Sequence, residues 1–332
     1  MPSMSPGDRP QERGAALLTV LLLVSVIAVL AATALEKLRL STRLAGNAVS
    51  GEQARAYGYA AETLALSRVS DLLGRSQQRV TLAGDWSGRP FSLPVPNGVA
   101  TARVTDGGNC FNLNGLVTEE ASGIYVTNQA ARVQFARLMR LVDVPTSVTA
   151  GIADAASDWI DTDNEPLPGG AEDGAYTGAA TPYRTSGTLM TDISELRAVN
   201  GVTPEIYTKL RPWLCTLPVA KPSVINVNTL LPEQAPLFAM LLPDTLGVDA
   251  ARQILLKRPP QGFESTSAFW AIPAQNAITA APDAVAQTAI TTKWFALQVD
   301  VTTGGAELQE RSMIDATRLP ARLVSRSWGE PS

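Results

Sequence analysis

Nine carboxylates, Asp154, Asp158, Asp161, Asp163, Glu165, Glu172, Asp173, Asp192 and Glu195, share one stretch of the chain with a single base, Arg184. Like charges at that density repel unless water or a cation lies between them. Counting Asp161 as position one, Asp163, Glu165 and Glu172 fall at positions three, five and twelve, the carboxylate spacing of an EF-hand loop. Position six is Pro166 instead of the turn glycine, and Gly169-Gly170 comes later. The expectation is therefore a calcium loop with turn chemistry of its own. Hard oxygen ligands with no His or Cys nearby favour Ca2+ over zinc. The alternative is a solvated acidic loop.

A second segment, INVNTLLPEQAPLFAMLLPDTLGVDAARQILLKR, resembles helix-hairpin-helix modules. Such modules hold DNA phosphates on the backbone amides of a Gly-x-Gly turn. The equivalent turn here keeps only Gly247, with Asp244 and Asp249 beside it, and acids there oppose phosphate. The scaffold is read as packing or protein contact. With 27 Lys plus Arg against 31 Asp plus Glu, net charge does not invite a nucleic-acid partner either. A membrane-anchored DNA-binding or uptake protein is the alternative function, and DNA retention falling steeply with salt would mark it.

The chain has no histidine, the commonest general base and the usual zinc ligand. Triad hydrolysis and metalloprotease chemistry are poor candidates, and no catalytic residue is assigned. The two cysteines, Cys110 and Cys215, are either a disulfide made in an oxidising compartment or two buried thiols.

These groups need elements to hold them. Ala15 to Leu35 is a run of twenty-one residues without charge or proline. As a helix it is about 32 Å long, enough to cross a hydrocarbon core of about 30 Å once. The chain runs on without proline until Pro90, and Ala54, Tyr57, Ala61 and Leu64 keep helical spacing. The spacing predicts one helix to about Gly74, roughly 90 Å long, leaving the membrane for water. Gly46, Gly51 and Gly58 mark bends or close packing in it. Lys and Arg flank the run on both sides, Arg9 and Arg13 before it and Lys37, Arg39 and Arg43 after, so charge does not fix its orientation.

Further on, QRVTLAG, RPFSLPVP and GVATARVTD read as strands, and KWFALQVDVTTGGAELQERSMIDAT reads as a hairpin about Gly304-Gly305. Residues 125 to about 290 between them read as helical. Ala131, Phe135, Leu138 and Val142 share a face, Pro145 opens a helix towards Trp159, and SELRAV echoes SAFWAI as a sign of two small helical subdomains. The predicted class is α+β: a sheet covered by the rod helix and interrupted by a large insertion.

The polar leader ending in Arg13-Gly14, followed by a small residue and an unbroken apolar helix, resembles a type IV prepilin signal. The resemblance implies that a prepilin peptidase cuts between Gly14 and Ala15 on the cytoplasmic side and that the new amino terminus is methylated. Most pilins have glutamate as the fifth mature residue; here it is Thr19. A tip subunit has no neighbour ahead for such a carboxylate to neutralise, and Thr19 can return its hydroxyl to its own helix.

With CFNLNGL at 110–116, DWIDTDNEP, GAEDGAY, YRTSGTLMTDISELR and INVNT in this order, nearly the whole chain resembles the general secretion pathway protein K family, the large minor pseudopilins of type II secretion. That implies a type IV pilin-like fold: a long N-terminal transmembrane helix packed on an antiparallel sheet, with an all-α insertion of helix-hairpin-helix and SAM-like subdomains. The implied division is a leader at 1–14, the helix at 15–75 with its membrane part at about 15–35, sheet parts at 76–124 and 291–332, and the insertion with its calcium loop at 125–290. By the same resemblance Asp161, Asp163, Glu165, Glu172, Asp173, Asp192 and Glu195 are the calcium candidates, and a Cys110–Cys215 bond ties sheet to insertion. Implied partners are minor pseudopilins I and J, other pseudopilins, the inner-membrane assembly platform, the prepilin peptidase and secreted cargo. The implied location is the bacterial inner membrane, single-pass, with the bulk in the periplasm.

Overall fold

The computed structural model describes residues 11–75, 78–178, 181–242, 245–275 and 277–329. The first ten residues of the expected leader, and Asp244 of the expected hairpin turn, lie outside the described residues. The chain begins with helix α1 (Gln11–Arg75) and strands β1 (Phe91–Val95) and β2 (Gly98–Asp106). An insertion follows, with β3 (Phe111–Asn112), β4 (Val117–Ala121), β5 (Ile124–Thr127), α2 (Gln129–Leu141), α3 (Thr146–Asp158), α4 (Asp173–Tyr176), α5 (Pro204–Leu210) and β6 (Leu214–Cys215). It continues through β7 (Ile225–Asn226), α6 (Ala235–Ala239), α7 (Val248–Leu256), α8 (Thr266–Gln275), α9 (Pro282–Ala286) and β8 (Thr288–Ala289). The chain then returns to the sheet with β9 (Trp294–Thr303), β10 (Ala306–Asp315) and β11 (Arg322–Trp328).

Helix α1 is continuous over 65 residues. Every residue from Ala15 to Val49 is exposed, and burial begins at Ala54. From there Ala54, Gly58, Ala61, Ala65, Val69 and Leu73 form a buried stripe at three- and four-residue spacing. Four of those six are Gly or Ala, so the rod lies close on the sheet. A Cβ on Gly58 would stand 3.4 Å from Glu310 Oε2 and from Leu308 Cδ2. Gly46 and Gly51 face open space and the helix does not break at them, so only Gly58 fulfils the expectation of close packing.

The sheet has the order β1-β2-β9-β10-β11, each pair antiparallel. Residues alternate across it: Ala100, Ala102, Val104, Phe295, Leu297, Val299, Val301 and Ile314 join the core under α1. Gly304 and Gly305, at φ of 53° and 83°, make the tight turn of the β9–β10 hairpin as their spacing predicts. The QRVTLAG segment is not a strand, and apart from an isolated bridge at Ser87 pairing begins at Phe91. Positive φ at Gly84, Asp85 and Gly88 breaks the extended path. Val80 is instead pinned to the insertion, its N–H donating to Ile290 O and its carbonyl accepting from Asn226 Nδ2.

The insertion opens after Asp106 rather than at 125, and it is not all helical. It carries the antiparallel β4–β5 hairpin and the parallel pairs β3–β6 and β7–β8. Val117, Thr118, Ile124 and Val126 are β-branched and pair as a hairpin, whose second strand runs to Thr127, just past the point at 125 where helix was expected to begin. Helices α2 and α3 fall where the apolar spacing puts them, Asn128 capping the first and Pro145 preceding the second. SELRAV lies in a 3-10 turn over Ile193–Ala198 while SAFWAI lies in α8, so their likeness is not kept in backbone form. Cys110 and Cys215 form a disulfide, with Trp294 and Met313 of the sheet packed against it, at the joint between sheet and insertion.

Candidate functional site

Helix α3 ends by turning its acids on the loop that follows. Asp158, fully buried, accepts hydrogen bonds from the backbone N–H of Leu167 at 3.2 Å and of Ala171 at 2.8 Å. Asp154, one turn earlier, accepts from Gly169 N–H at 3.0 Å and pairs with Arg132 at 3.3 Å. These two carboxylates fold residues 162–172 back over the helix end. Gly170 is obligatory in that arrangement, because a Cβ would sit 1.9 Å from Asp158 Oδ2. The Gly169-Gly170 pair thus admits the tethering acids and does not supply an EF-hand turn.

The tethered loop brings Asp161, Asp163 and Glu172 together, one carboxylate oxygen from each lying within 4.8 Å of the others. Asp161 and Glu172 are buried and Asp163 is exposed. Thr127 Oγ1 donates to Asp161 Oδ2 at 2.9 Å, and Glu165 N–H donates to Asp163 Oδ1 at 2.8 Å. Asp161 Oδ1 and Glu172 Oε1 are buried oxygens without a hydrogen-bond partner. Buried acceptors are rarely left so, since an unmade bond there forfeits the whole solvation of the group. Burial, reinforced by neighbouring carboxylates, pushes Asp161 up to about 6 and Glu172 to about 7. Burial raises Asp158 to about 6 as well. Oxygen-only and, among the described residues, without an ion-pair partner, the cluster fits a hard divalent cation such as calcium.

The remaining predicted residues divide. Glu165 is exposed and borders the group through its backbone alone. Asp173 accepts from Thr185 N–H and Oγ1 and pairs with Arg184 at 3.4 Å, which spends its charge beside the site. Asp192 and Glu195 do not join it. Asp192 accepts from Ser194 N–H and Glu195 from Thr191 and Asp192 N–H, a reciprocal cap on the 3-10 turn. Their spacing, Asp-x-x-Glu ahead of an apolar residue, is a capping signal. Sequence reading passed over the tethering roles of Asp154 and Asp158, whose separation of four places both on one face of α3.

At the other end of the chain, Gly14 and Ala15 lie within α1, and Thr19 Oγ1 donates to Ala16 O at 2.8 Å. Helix α1 is long and apolar enough to cross a membrane once.

Two family descriptions, both of type II secretion system protein K, match residues 109–219 and 225–293. A protein K from Pectobacterium carotovorum is 32% identical over 327 residues, spanning 97% of this chain and 98% of the relative. One from Aeromonas hydrophila is 35% identical over 264 residues, or 78% and 80% of the two chains. The chain belongs to the type II secretion system protein K family. It is a minor pseudopilin of that system. A chain of the crystal structure of the GspK-GspI-GspJ complex from enterotoxigenic Escherichia coli superposes with a TM-score of 0.72 at 29% identity, covering 84% of this chain and 97% of that one. The two family segments fall between β2 and β9, within the insertion.

Proposed function

We propose that this minor pseudopilin caps the tip of a short periplasmic fibre and helps start its assembly for protein export across the outer membrane. The observation that carries the reading is the division of α1: thirty-five residues from Ala15 to Val49 are wholly exposed, and packing against the sheet starts only at Ala54. The charge-free run of residues 15–35 within it finds no stable place in water. It belongs first in the inner membrane and later among the helices of neighbouring pseudopilins, with the head in the periplasm throughout. The solved complex supports partners of the I and J type. The insertion between β2 and β9 gives the head its bulk, which blocks a further subunit ahead of it. The role is mechanical, with no catalytic step assigned.

Cleavage by prepilin peptidase between Gly14 and Ala15 leaves the whole apolar run on the mature chain. The hydroxyl of Thr19, returned to Ala16 O, leaves no charge at the fifth mature position, which suits a subunit with none ahead. Calcium held by Asp161, Asp163 and Glu172 would neutralise the loop and fix it against α3. The α6–α7 pair is read as packing: Asp249 sits in the first turn of α7, where a phosphate would have to lie.

Mass spectrometry of protein purified with its co-assembled pseudopilins tests the processing. A methylated Ala15 terminus is expected, and Gly14→Val should accumulate uncut precursor; a mature chain lacking 15–35 would end the proposal. Calcium in hundredfold excess over its Kd should stabilise the protein by about 2.7 kcal/mol. Asp161→Asn with Asp163→Asn should abolish the shift, and equal melting in calcium and in chelator would remove the metal.

A further inference from the structure

The face of the sheet turned away from α1 is overhung by the insertion, leaving an open groove of about 620 Å³. Arg103, Arg211 and Arg311 all line it. Pairing register sets two of them on one rung: Arg103 stands opposite Gln298, and Gln298 opposite Arg311. β2 and β10 flank β9, so the two residues start about 10 Å apart. Arg211 enters from the insertion side, in the 3-10 turn after α5. Among the described residues none of the three has an ion pair, whereas Arg132, Arg184, Arg252 and Arg326 each have one.

The carboxylates that line the groove form no ion pair with them. Asp106 is half-buried, accepting from Thr229 and Thr292 hydroxyls and Gly108 N–H. Asp192 is occupied with the N–H of Ser194. Three guanidinium groups without a carboxylate partner around one groove, set against Asp106 and Asp192, leave it net positive on a chain of net charge −4. Thr105, Thr216, Ser325 and Ser327 add hydroxyls to its walls.

We propose that this groove docks an extended, carboxylate-bearing segment of a partner protein. Guanidinium groups bind carboxylates through paired hydrogen bonds, and the spacing sets the ligand's pattern. In an extended chain residues two and three apart are about 7 and 10 Å apart. Acidic side chains at such intervals reach Arg103 and Arg311 together, with Arg211 closing over a third. The disulfide lines the same groove and holds the wall that carries Arg211 against the sheet, which fixes its width.

The test is fluorescence anisotropy of the full chain in detergent micelles with a short labelled peptide alternating glutamate and serine. Saturable binding that weakens with added salt is expected. Arg103→Glu with Arg311→Glu, both exposed, should weaken it at least about tenfold, a loss of about 1.4 kcal/mol. Arg89→Glu with Arg252→Glu makes the same change in net charge away from the groove and should leave binding intact. Equal weakening by the two pairs would reduce the effect to overall charge and overturn the proposal. Displacement by sodium phosphate or by oligothymidylate as readily as by unlabelled peptide would also overturn it, in favour of a general anion site.

Discussion

The helix–sheet part and the insertion satisfy their buried backbone in different ways. Under α1 the strands are long and pair with one another, and the core between helix and sheet is built largely of Ala and Val. The insertion packs Phe135, Phe238, Phe269, Trp159 and Trp270 among short helices and irregular loops. Its loops have few ladder partners, and buried asparagines take their place. Asn112 donates to Val219 O and Lys221 O and accepts from Leu217 N–H. Asn114 donates to Met190 O and Leu217 O and accepts from Met190 N–H. Asn228 both donates to and accepts from Phe263. A loop that cannot pair with itself must borrow donors and acceptors from side chains, because orphaned backbone is too costly to bury.

The sharpest way to break this comparison is Asn114→Leu. The substitution keeps the volume close but strands Met190 N–H and Met190 O in a site that is 0% exposed, while Leu217 O keeps the N–H of Val219. At about 1–3 kcal/mol per stranded group, a loss of roughly 2–6 kcal/mol is expected in thermal unfolding of the full chain in detergent. Ser92→Ala, on an exposed strand of the sheet, should stay within about 0.5 kcal/mol. Similar losses at the two sites would show that the asparagines are not what holds the insertion.

Replacing both cysteines by serine comes next. The bond closes a separation of 105 residues, and its removal should cost about 2–5 kcal/mol, chiefly by freeing the unfolded chain. Because it sits at the joint, amide exchange should rise more across 107–293 than in β9 and β10. A uniform rise would mean that sheet and insertion unfold as one unit, which would erase the distinction.

The same contrast explains what could be read beforehand. Long periodic elements were legible: α1 from its apolar spacing, β9–β10 from alternation about Gly304-Gly305, α2 from Ala131, Phe135 and Leu138. The short pairs β3–β6 and β7–β8 have no periodicity to read, being two residues each and made by segments far apart in sequence. CFNLNGL and INVNT stood out as motifs without a stated role, and the structure supplies one in their asparagines. At the acidic loop Asp161, Asp163 and Glu172 follow from spacing, whereas Asp192 and Glu195 have local hydrogen bonds that compete with metal binding. Convergence of carboxylates depends on where the chain returns, and Asp158 and Gly170 determine that.

The smallest expected effect concerns a place where, among the described residues, ionisable groups lie buried in the small-residue core. Glu310 is completely buried beneath α1, beside Glu62 of the helix, and both lie near the Arg326 guanidinium. Arg326 binds Glu62 through two nitrogens and stands 3.7 Å from Glu310, while Ser312 Oγ donates to Glu310 Oε1. Burial, then the neighbouring Glu62, pushes Glu310 up to about 8 from an ordinary 4.5. The folded protein therefore holds a proton that the unfolded chain has released. Stability from this group is full below about 4.5 and declines as pH rises towards 8. With calcium held constant, the melting temperature of the wild type should fall across that window more than that of Glu310→Gln, which keeps the shape and cannot ionise. Parallel curves would place the proton elsewhere. Steeper loss in the wild type would mean that α1 is joined to its sheet by a contact that titrates, unlike the amide contacts of the insertion.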